Sequence, residues 1–262
     1  MRKIGIVGGG NMGEALIEHL RKKYFVSVSE KDKTRTDYLY KNYKLKATDL
    51  KMLIESSDVV LIAVKPPDIE EPLKEMSPWL DKTKLLISIA AGITTSFIEK
   101  TLAKKIKVIR AMPNLAVMVA EGMTAICPGE HAQASDVEAA RQIFGHLGRT
   151  VVVEEKRMDA VTAVSGSGPG YVFLFMESMI KAAQALGLKE DISKELVEAT
   201  FRGSIHLLEK KKMDASALRA KVTSKGGTTE AALEVFGKNN LDQIFAQALG
   251  AAQKRAQELS RR

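Results

Sequence analysis

Three stretches of the chain gather the residue types that ligand chemistry needs. The first is IGIVGGGNMG, residues 4–13. A short apolar run (Ile4, Ile6, Val7) leads into Gly8, Gly10 and Gly13, with Asn11 and Met12 between, and residues 14–23 then follow a helical pattern. Strand, G-x-G-x-x-G and helix in that order form the layout in which a dinucleotide pyrophosphate rests on a helix N-terminus. Gly8 permits the tight turn, Gly10 lets backbone approach phosphate, and Gly13 lets helix pack on strand. The second stretch is VTSKGGTTE, residues 222–230. Ser224, Thr228 and Thr229 flank Gly226 and Gly227 just before another helical pattern, so unpaired N–H groups and the positive end of a dipole face outward. That is a cradle sized for a carboxylate. It also serves as a plain helix start, with Thr228 or Thr229 as the cap and acids in the first turns. The third is Ser165–Gly170, SGSGPG, which interrupts an otherwise apolar helix. Glycine and proline there cost about 1 and 3 kcal/mol of helix stability, so either a ligand or packing reason or a kink is expected.

Other candidates sit where strands end, because open α/β sheets collect ligands at the carboxyl ends of their strands. Ala63, Val64, Lys65 and Pro66 close one apolar strand, and Pro66-Pro67 forces an extended exit. Ala90 and Ala91 close the next with small residues that admit a flat ring, and Asn114 closes the one after with a polar group. At the end of the second strand Glu30 is placed to accept a ribose 2′-hydroxyl, which favours NAD. Ser29, Lys31, Lys33 and Arg35 surround it, and a hydroxyl with cations is how a 2′-phosphate is held. Either cofactor remains open on this pattern.

Positioning these groups calls for a particular scaffold. Strands are expected at residues 25–29, 58–64, 85–90, 107–112, 123–127 and 150–153, with helices at 34–41, 68–76, 95–102 and 135–147. Residues 58–64 (DVVLIAV) are nearly unbroken apolar, as in a strand buried on both faces. Such alternation predicts a parallel, doubly wound Rossmann-type sheet. From residue 159 on the patterns are helical alone: 159–186, 193–211, 216–222, 229–236 and 242–259. The expected division is therefore a dinucleotide-binding domain over 1–155 and an all-α domain over 156–262. The latter is richer in apolar residues than a private core needs, which fits an intertwined dimer or a well-packed bundle.

Composition narrows the classes. The chain has 262 residues, 45% of them hydrophobic and 27% charged, as in a soluble globular protein. No apolar run approaches the ~18–20 residues of a membrane span, and the N-terminus lacks signal-peptide grammar. One cysteine, Cys127, precludes an internal disulfide and fits a reducing cytoplasm. The net charge of +8 is scattered over Arg21–Lys23, Lys104–Lys107, Lys210–Lys212 and Arg261–Arg262 without a nucleic-acid motif. His19, His131, His146 and His206 lie outside every stretch above, so neither a catalytic histidine nor a metal site is expected. Chemistry that needs no strong protein acid is favoured, such as hydride transfer to an already protonated imine.

These motifs, in their order and separations, resemble the pyrroline-5-carboxylate reductases from end to end: IGIVGGGNMG, AVKP (63–66), SIAAG (88–92), RAMPN (110–114), AVSGSGPGYVF (163–173) and VTSKGGTTEAAL (222–233). The resemblance implies a Rossmann domain and a helix-swapped C-terminal dimerisation domain. It implies a homodimer, with a larger ring such as a decamer also open, and reduction of the C=N bond of 1-pyrroline-5-carboxylate to L-proline with NADPH or NADH. By position, the cofactor falls on the Gly8–Gly13 turn, Ala63–Pro66 and Ala90–Ala91. Ser224 and the N–H groups of Gly226, Gly227 and Thr228 would hold the substrate carboxylate, and Thr229 the ring nitrogen. The chain departs from the family pattern at Leu115-Ala116, where PNTP usually continues, at Gly170 in place of alanine, and at Lys225 in place of proline or glycine. Those departures, with Glu30, bear on substrate range and cofactor choice. A hydroxyacid reductase of the same plan would need a lysine within residues 159–170, which contain none. A non-catalytic nucleotide-binding regulator would have no use for the Ser224–Thr229 loop.

Overall fold

The computed structural model describes residues 2–260; the Arg261–Arg262 pair and Met1 lie outside the described residues. Two compact units emerge, one formed by residues 2–169 with 251–260 and the other by residues 170–250.

The first unit is built on seven strands: β1 (Lys3–Val7), β2 (Phe25–Ser29), β3 (Val59–Ile62), β4 (Leu85–Ser88), β5 (Lys107–Pro113), β6 (Gly122–Pro128) and β7 (Gly148–Val152). They lie in the order β2-β1-β3-β4-β5-β6-β7. Helices α1 (Asn11–Leu20), α2 (Lys33–Tyr43), α3 (Leu50–Ser56), α4 (Glu70–Met76), α5 (Thr95–Leu102) and α6 (Ala134–Gly145) connect them. Because side chains alternate across a sheet, a strand covered on both faces has to be apolar at every position. β3 satisfies this: Val59 and Leu61 join one buried cluster with Ile4, Ile6, Ile87 and Phe144, while Val60 and Ile62 join the other with Leu53, Leu86, Ile98 and Val108. Each fully buried side chain of this kind contributes about 1.5–3 kcal/mol.

The expected parallel sheet is broken at one seam. β5 and β6 are antiparallel, with Arg110 opposite Cys127 and Pro113 opposite Thr124; β6 and β7 are again parallel. Residues 114–121 between them are too few for a crossover helix, which needs a dozen or more residues, so the chain can only turn back. α3 falls where no element was expected. Asp49 caps it by accepting from Met52 N–H at 2.9 Å.

The rest of the chain is helical: α7 (Met158–Val161), α8 (Gly168–Ala185), α9 (Glu190–Lys211), α10 (Ala215–Lys221), α11 (Thr228–Lys238) and α12 (Leu241–Ser260). The SGSGPG stretch spans the end of a π-helical turn over Thr162–Gly166, its cap at Ser167 and the first residues of α8. Within residues 170–250 Phe175 stacks on Phe245, ring centroids 5.5 Å apart. The far end of α12 belongs to the first unit, where Ser260 Oγ donates to Asp159 at 3.0 Å. Among the described residues no helix is long and apolar enough to cross a membrane, and no group of three or more metal-ligating side chains is gathered.

Candidate functional site

The turn after β1 is tight because two backbones meet there. Gly8 has φ +99°, and a Cβ on it would stand 2.8 Å from the Ala63 carbonyl oxygen. A Cβ on Gly13 would stand 2.1 Å from the Gly8 carbonyl oxygen. Neither position accepts a side chain without moving the turn or α1. Gly10 is the N-cap of α1 and makes no side-chain cap bond. A Cβ there would meet nothing within 4 Å. The helix therefore presents uncapped N–H groups to open space, an arrangement that takes phosphate oxygens.

Two cavities open beside this turn. One of about 650 Å³ is lined by Gly8, Gly10, Ser29, Glu30, Lys31, Ala63, Val64 and Lys65, with Thr48, Leu50 and Glu71. The other, about 660 Å³, is lined by Gly10, Asn11, Met12, Ala63, Val64, Lys65, Pro66, Ala90, Ala91 and Asn114, with Met112, Leu115 and Gly166. Both volumes suit a small organic ligand. Of the residues expected at the cofactor, Gly13 alone lies in neither wall; it is packed behind the turn. Glycine at 166 has a packing reason as well, since a Cβ there would stand 2.5 Å from Met112 Cε. Asn114 is held in place by β6: its Oδ1 accepts from Met123 N–H at 3.1 Å, and its own N–H donates to Met123 O at 3.2 Å. A turn with free helix N–H groups, flanked by two cavities along the strand ends, fits an extended dinucleotide.

Behind the turn stands a polar cluster of which sequence pattern singled out Arg35 alone, as a cation beside Glu30. Arg35 donates to the Gly9 carbonyl and to Glu14, and its guanidinium lies 4.7 Å from the Tyr38 ring centroid. Tyr38 and Tyr43 both donate to Glu14 Oε1, at 2.9 and 2.8 Å. Burial opposes ionisation of Glu14, but hydrogen bonds from Arg35, Tyr43 and Tyr38 outweigh it and hold the carboxyl below its usual range. The four residues come from α1 and α2, and no local spacing announces that they meet.

A second unheralded cluster lies at the antiparallel seam. Arg110 is 2% exposed. It pairs with Glu155 through Nη1, and its Nη2 lies 3.8 Å from Asp159 Oδ1 without a hydrogen-bond partner. Glu155 also accepts from Thr95 N–H and Oγ1 and lies 3.7 Å from Cys127 Sγ. Burial, then the Glu155 charge, push the Cys127 thiol up to about 12.

The residues expected at the substrate lie in the other unit, at the entrance of α11. Gly226 has φ +73°, and Gly227 N–H donates to Ser224 O at 2.9 Å, closing the turn. The expected threonine cap is not what forms. Gly227 is the N-cap, without a side-chain cap bond, and Thr228 and Thr229 are the first two helical residues. The Glu230 carboxylate reaches back to accept Gly226 N–H at 2.7 Å, so an anion already sits against this backbone. Ser224, Gly226 and Thr228 are exposed and Thr229 is half-buried.

Comparison with known proteins agrees with these features. Residues 155–259 match the family model for pyrroline-5-carboxylate reductase dimerisation, and residues 3–92 match a coenzyme F420-dependent NADP oxidoreductase model. A pyrroline-5-carboxylate reductase of Mycobacterium leprae is 34% identical over 99% of this chain and 97% of its own. The solved structure of the Coxiella burnetii pyrroline-5-carboxylate reductase, 34% identical, superposes with a TM-score of 0.92 over 99% of this chain and 98% of its own. A Plasmodium falciparum pyrroline carboxylate reductase with NADP bound, 30% identical, superposes at 0.88 over 99% and 98%. Identity at this level, sustained over the full length of the relatives, means that the chain belongs to the pyrroline-5-carboxylate reductase family.

Proposed function

We propose that the protein reduces 1-pyrroline-5-carboxylate to L-proline, using NADPH or NADH, as the last step of proline biosynthesis. One observation carries this reading: the Gly8–Gly13 turn presents uncapped helix N–H groups between two cavities in a chain of this family. When bound, the nicotinamide supplies the hydride that the imine carbon receives. Gly10, Asn11 and Met12 take the pyrophosphate on backbone N–H groups and the dipole of α1, while Gly8, whose N–H donates to Ser29 O at 2.9 Å, and Gly13, packed behind the turn, shape the turn that receives it. Ser29 stands by the adenosine ribose; Ala63, Val64, Lys65 and Pro66 border the dinucleotide along its length. Ala90, Ala91 and Asn114 border the nicotinamide.

Ser224 and the N–H groups of Gly226, Gly227 and Thr228 hold the substrate carboxylate, which displaces Glu230 from Gly226. Thr229 Oγ1 orients the imine nitrogen, so proximity rather than a strong acid lowers the barrier. The domain division is taken at 155/156, after β7. The helical domain forms the homodimer, with a larger ring such as a decamer of five dimers also open, and the protein works in the cytoplasm. The test is oxidation of NADPH and of NADH followed at 1-pyrroline-5-carboxylate and at other cyclic imino acids. Turnover with 1-pyrroline-5-carboxylate well above its homologues is expected; no oxidation with it would overturn the assignment.

A further inference from the structure

We infer that the adenosine end of this pocket selects the dinucleotide with a free 2′-hydroxyl, NADH over NADPH, with Glu30 as the discriminating residue. The inference rests on the reading of the Gly8–Gly13 turn as the dinucleotide site. Sequence alone left the choice open, because Glu30 stands among Ser29, Lys31, Lys33 and Arg35. The side-chain positions remove the ambiguity.

Glu30 is fixed by backbone. Its Oε2 accepts from Gly9 N–H at 2.6 Å and its Oε1 from Asp32 N–H at 2.9 Å. Swinging the carboxylate aside would leave two amides unpaired, so the negative charge stays at the edge of the glycine turn. Each oxygen keeps a lone pair with which to accept a ribose hydroxyl. A phosphate dianion in the same place meets a like charge that cannot retreat.

Of the cations beside Glu30, Arg35 and Lys31 are engaged elsewhere, and Lys33 is solvent-exposed and outside the cavity wall. Arg35 lies behind the turn, bound to Gly9 O and Glu14 and set against the Tyr38 ring. Lys31 reaches across to α4, with Glu71 at 2.9 Å and Glu75 at 3.3 Å, and these bonds raise its affinity for its proton. Both carboxylates are solvent-exposed, so this clamp alone is weak; Glu30 is the stronger element. The cavity wall tells the same way. Glu30, Asp32, Asp49, Asp68, Glu71 and Glu75 face Lys31 and Lys65, and Lys65 also borders the second cavity, toward the pyrophosphate. Asp32 and Asp49 are further committed as caps of α2 and α3. An added dianion enters a wall with an excess of acid, whereas a hydroxyl enters without electrostatic cost.

The deciding measurement is equilibrium binding of NADH and of NADPH to the intact wild-type protein without substrate. It can be read from the fluorescence of the bound reduced nicotinamide and checked by calorimetry. NADH is expected to bind tighter by about tenfold or more, one decade of Kd. Glu30→Ser should collapse that ratio by weakening NADH and strengthening NADPH. The double variant Glu71→Gln/Glu75→Gln, which frees Lys31 and leaves the glycine turn untouched, should shift the ratio toward NADPH even if Glu30→Ser fails to fold. NADPH binding as tightly as NADH to the wild type would overturn the inference, as would an undiminished NADH preference in folded Glu30→Ser. Failure of the folded wild type to bind either dinucleotide is a different result, because it removes the dinucleotide reading itself.

Discussion

The sheet unit and the helices of residues 170–250 bury their apolar residues in different ways. In the sheet, β3 and β4 are buried at every position, and both faces carry closed clusters made from one chain. Within residues 170–250 only Ser193 and Val197 are buried. Phe173, Leu174, Leu196, Ile205, Val235 and Ile244 stand between 52 and 60% exposed. Isolated apolar residues on a surface need no explanation, but a set of this size on successive helices marks a face that something covers. The match of residues 155–259 to a dimerisation family names the cover as a second copy of the chain. One region is thus stable by its own packing; the other borrows its core.

The largest effects should come from breaking the self-sufficient side at its tightest point. Gly13→Val places a Cβ where the Gly8 carbonyl oxygen stands 2.1 Å away, so α1 must shift off β1. Overpacking of this kind costs about 1–3 kcal/mol or more, and the turn that takes phosphate moves with it. Loss of measurable dinucleotide binding, with a lowered Tm, is the expected outcome; unchanged binding would mean that the turn does not hold the cofactor.

The borrowed core gives the next test. Ile192 and Leu196 lie one helical turn apart on α9 and are 43 and 52% exposed. On a truly solvated face, Leu196→Glu would change stability by about 0.5 kcal/mol or less. Against a partner it buries an unpaired charge, and mass measured by light scattering should fall from dimer to monomer with a steep loss of Tm. An unchanged mass and Tm would place this face in water and void the contrast between the two regions.

A third test separates their chemical duties. Thr229→Ala should lower turnover about tenfold to a hundredfold, the range of one or two directed hydrogen bonds, while dinucleotide affinity stays as in the wild type. Equal losses in both would mean that Thr229 does not act on the substrate. Glu230 sharpens the same point. Because its carboxylate holds Gly226 N–H at 2.7 Å, Glu230→Gln should weaken an internal competitor and lower the KM for the imino acid severalfold.

How much of this was legible beforehand depended on whether a residue's meaning is local. The seven strands and the glycine turn could be read because their signals lie within a few neighbours: unbroken apolar runs such as 59–62, and glycines closing on Ala63 and Gly8. The reversal of β6 was missed because an apolar run carries no direction; the shortness of residues 114–121 was the one available sign. α3 was missed because LKMLIES is short and only three of its side chains are buried. The Lys31–Glu71 and Arg110–Glu155 contacts join residues 40 and 45 positions apart, and no spacing rule reaches that far. At α11 the sequence offered two threonine caps, yet the turn at Gly226 moved the cap to Gly227, because positive φ at Gly226 sets where the helix begins.

The smallest expected effect probes the seam where the end of α12 returns to the sheet unit. Cys127 is 2% exposed, and burial with the neighbouring Glu155 charge lifts its thiol to about 12. Thiolate is the reactive form, so at pH 8 only about one thiol in ten thousand is ready to react. Alkylation by iodoacetamide, followed by mass spectrometry, should be slow in the native protein and should speed up on unfolding in urea. The shift also has a sign in stability. The folded state holds this proton more tightly than the unfolded one, so the contribution is complete below the ordinary thiol range, about 8.5, and is lost as pH rises toward 12. Native protein that reacts as fast as unfolded protein at pH 8 would show that Arg110, Glu155 and Cys127 are not sealed together. The region described as self-sufficient would then be open at the place where α12 joins it.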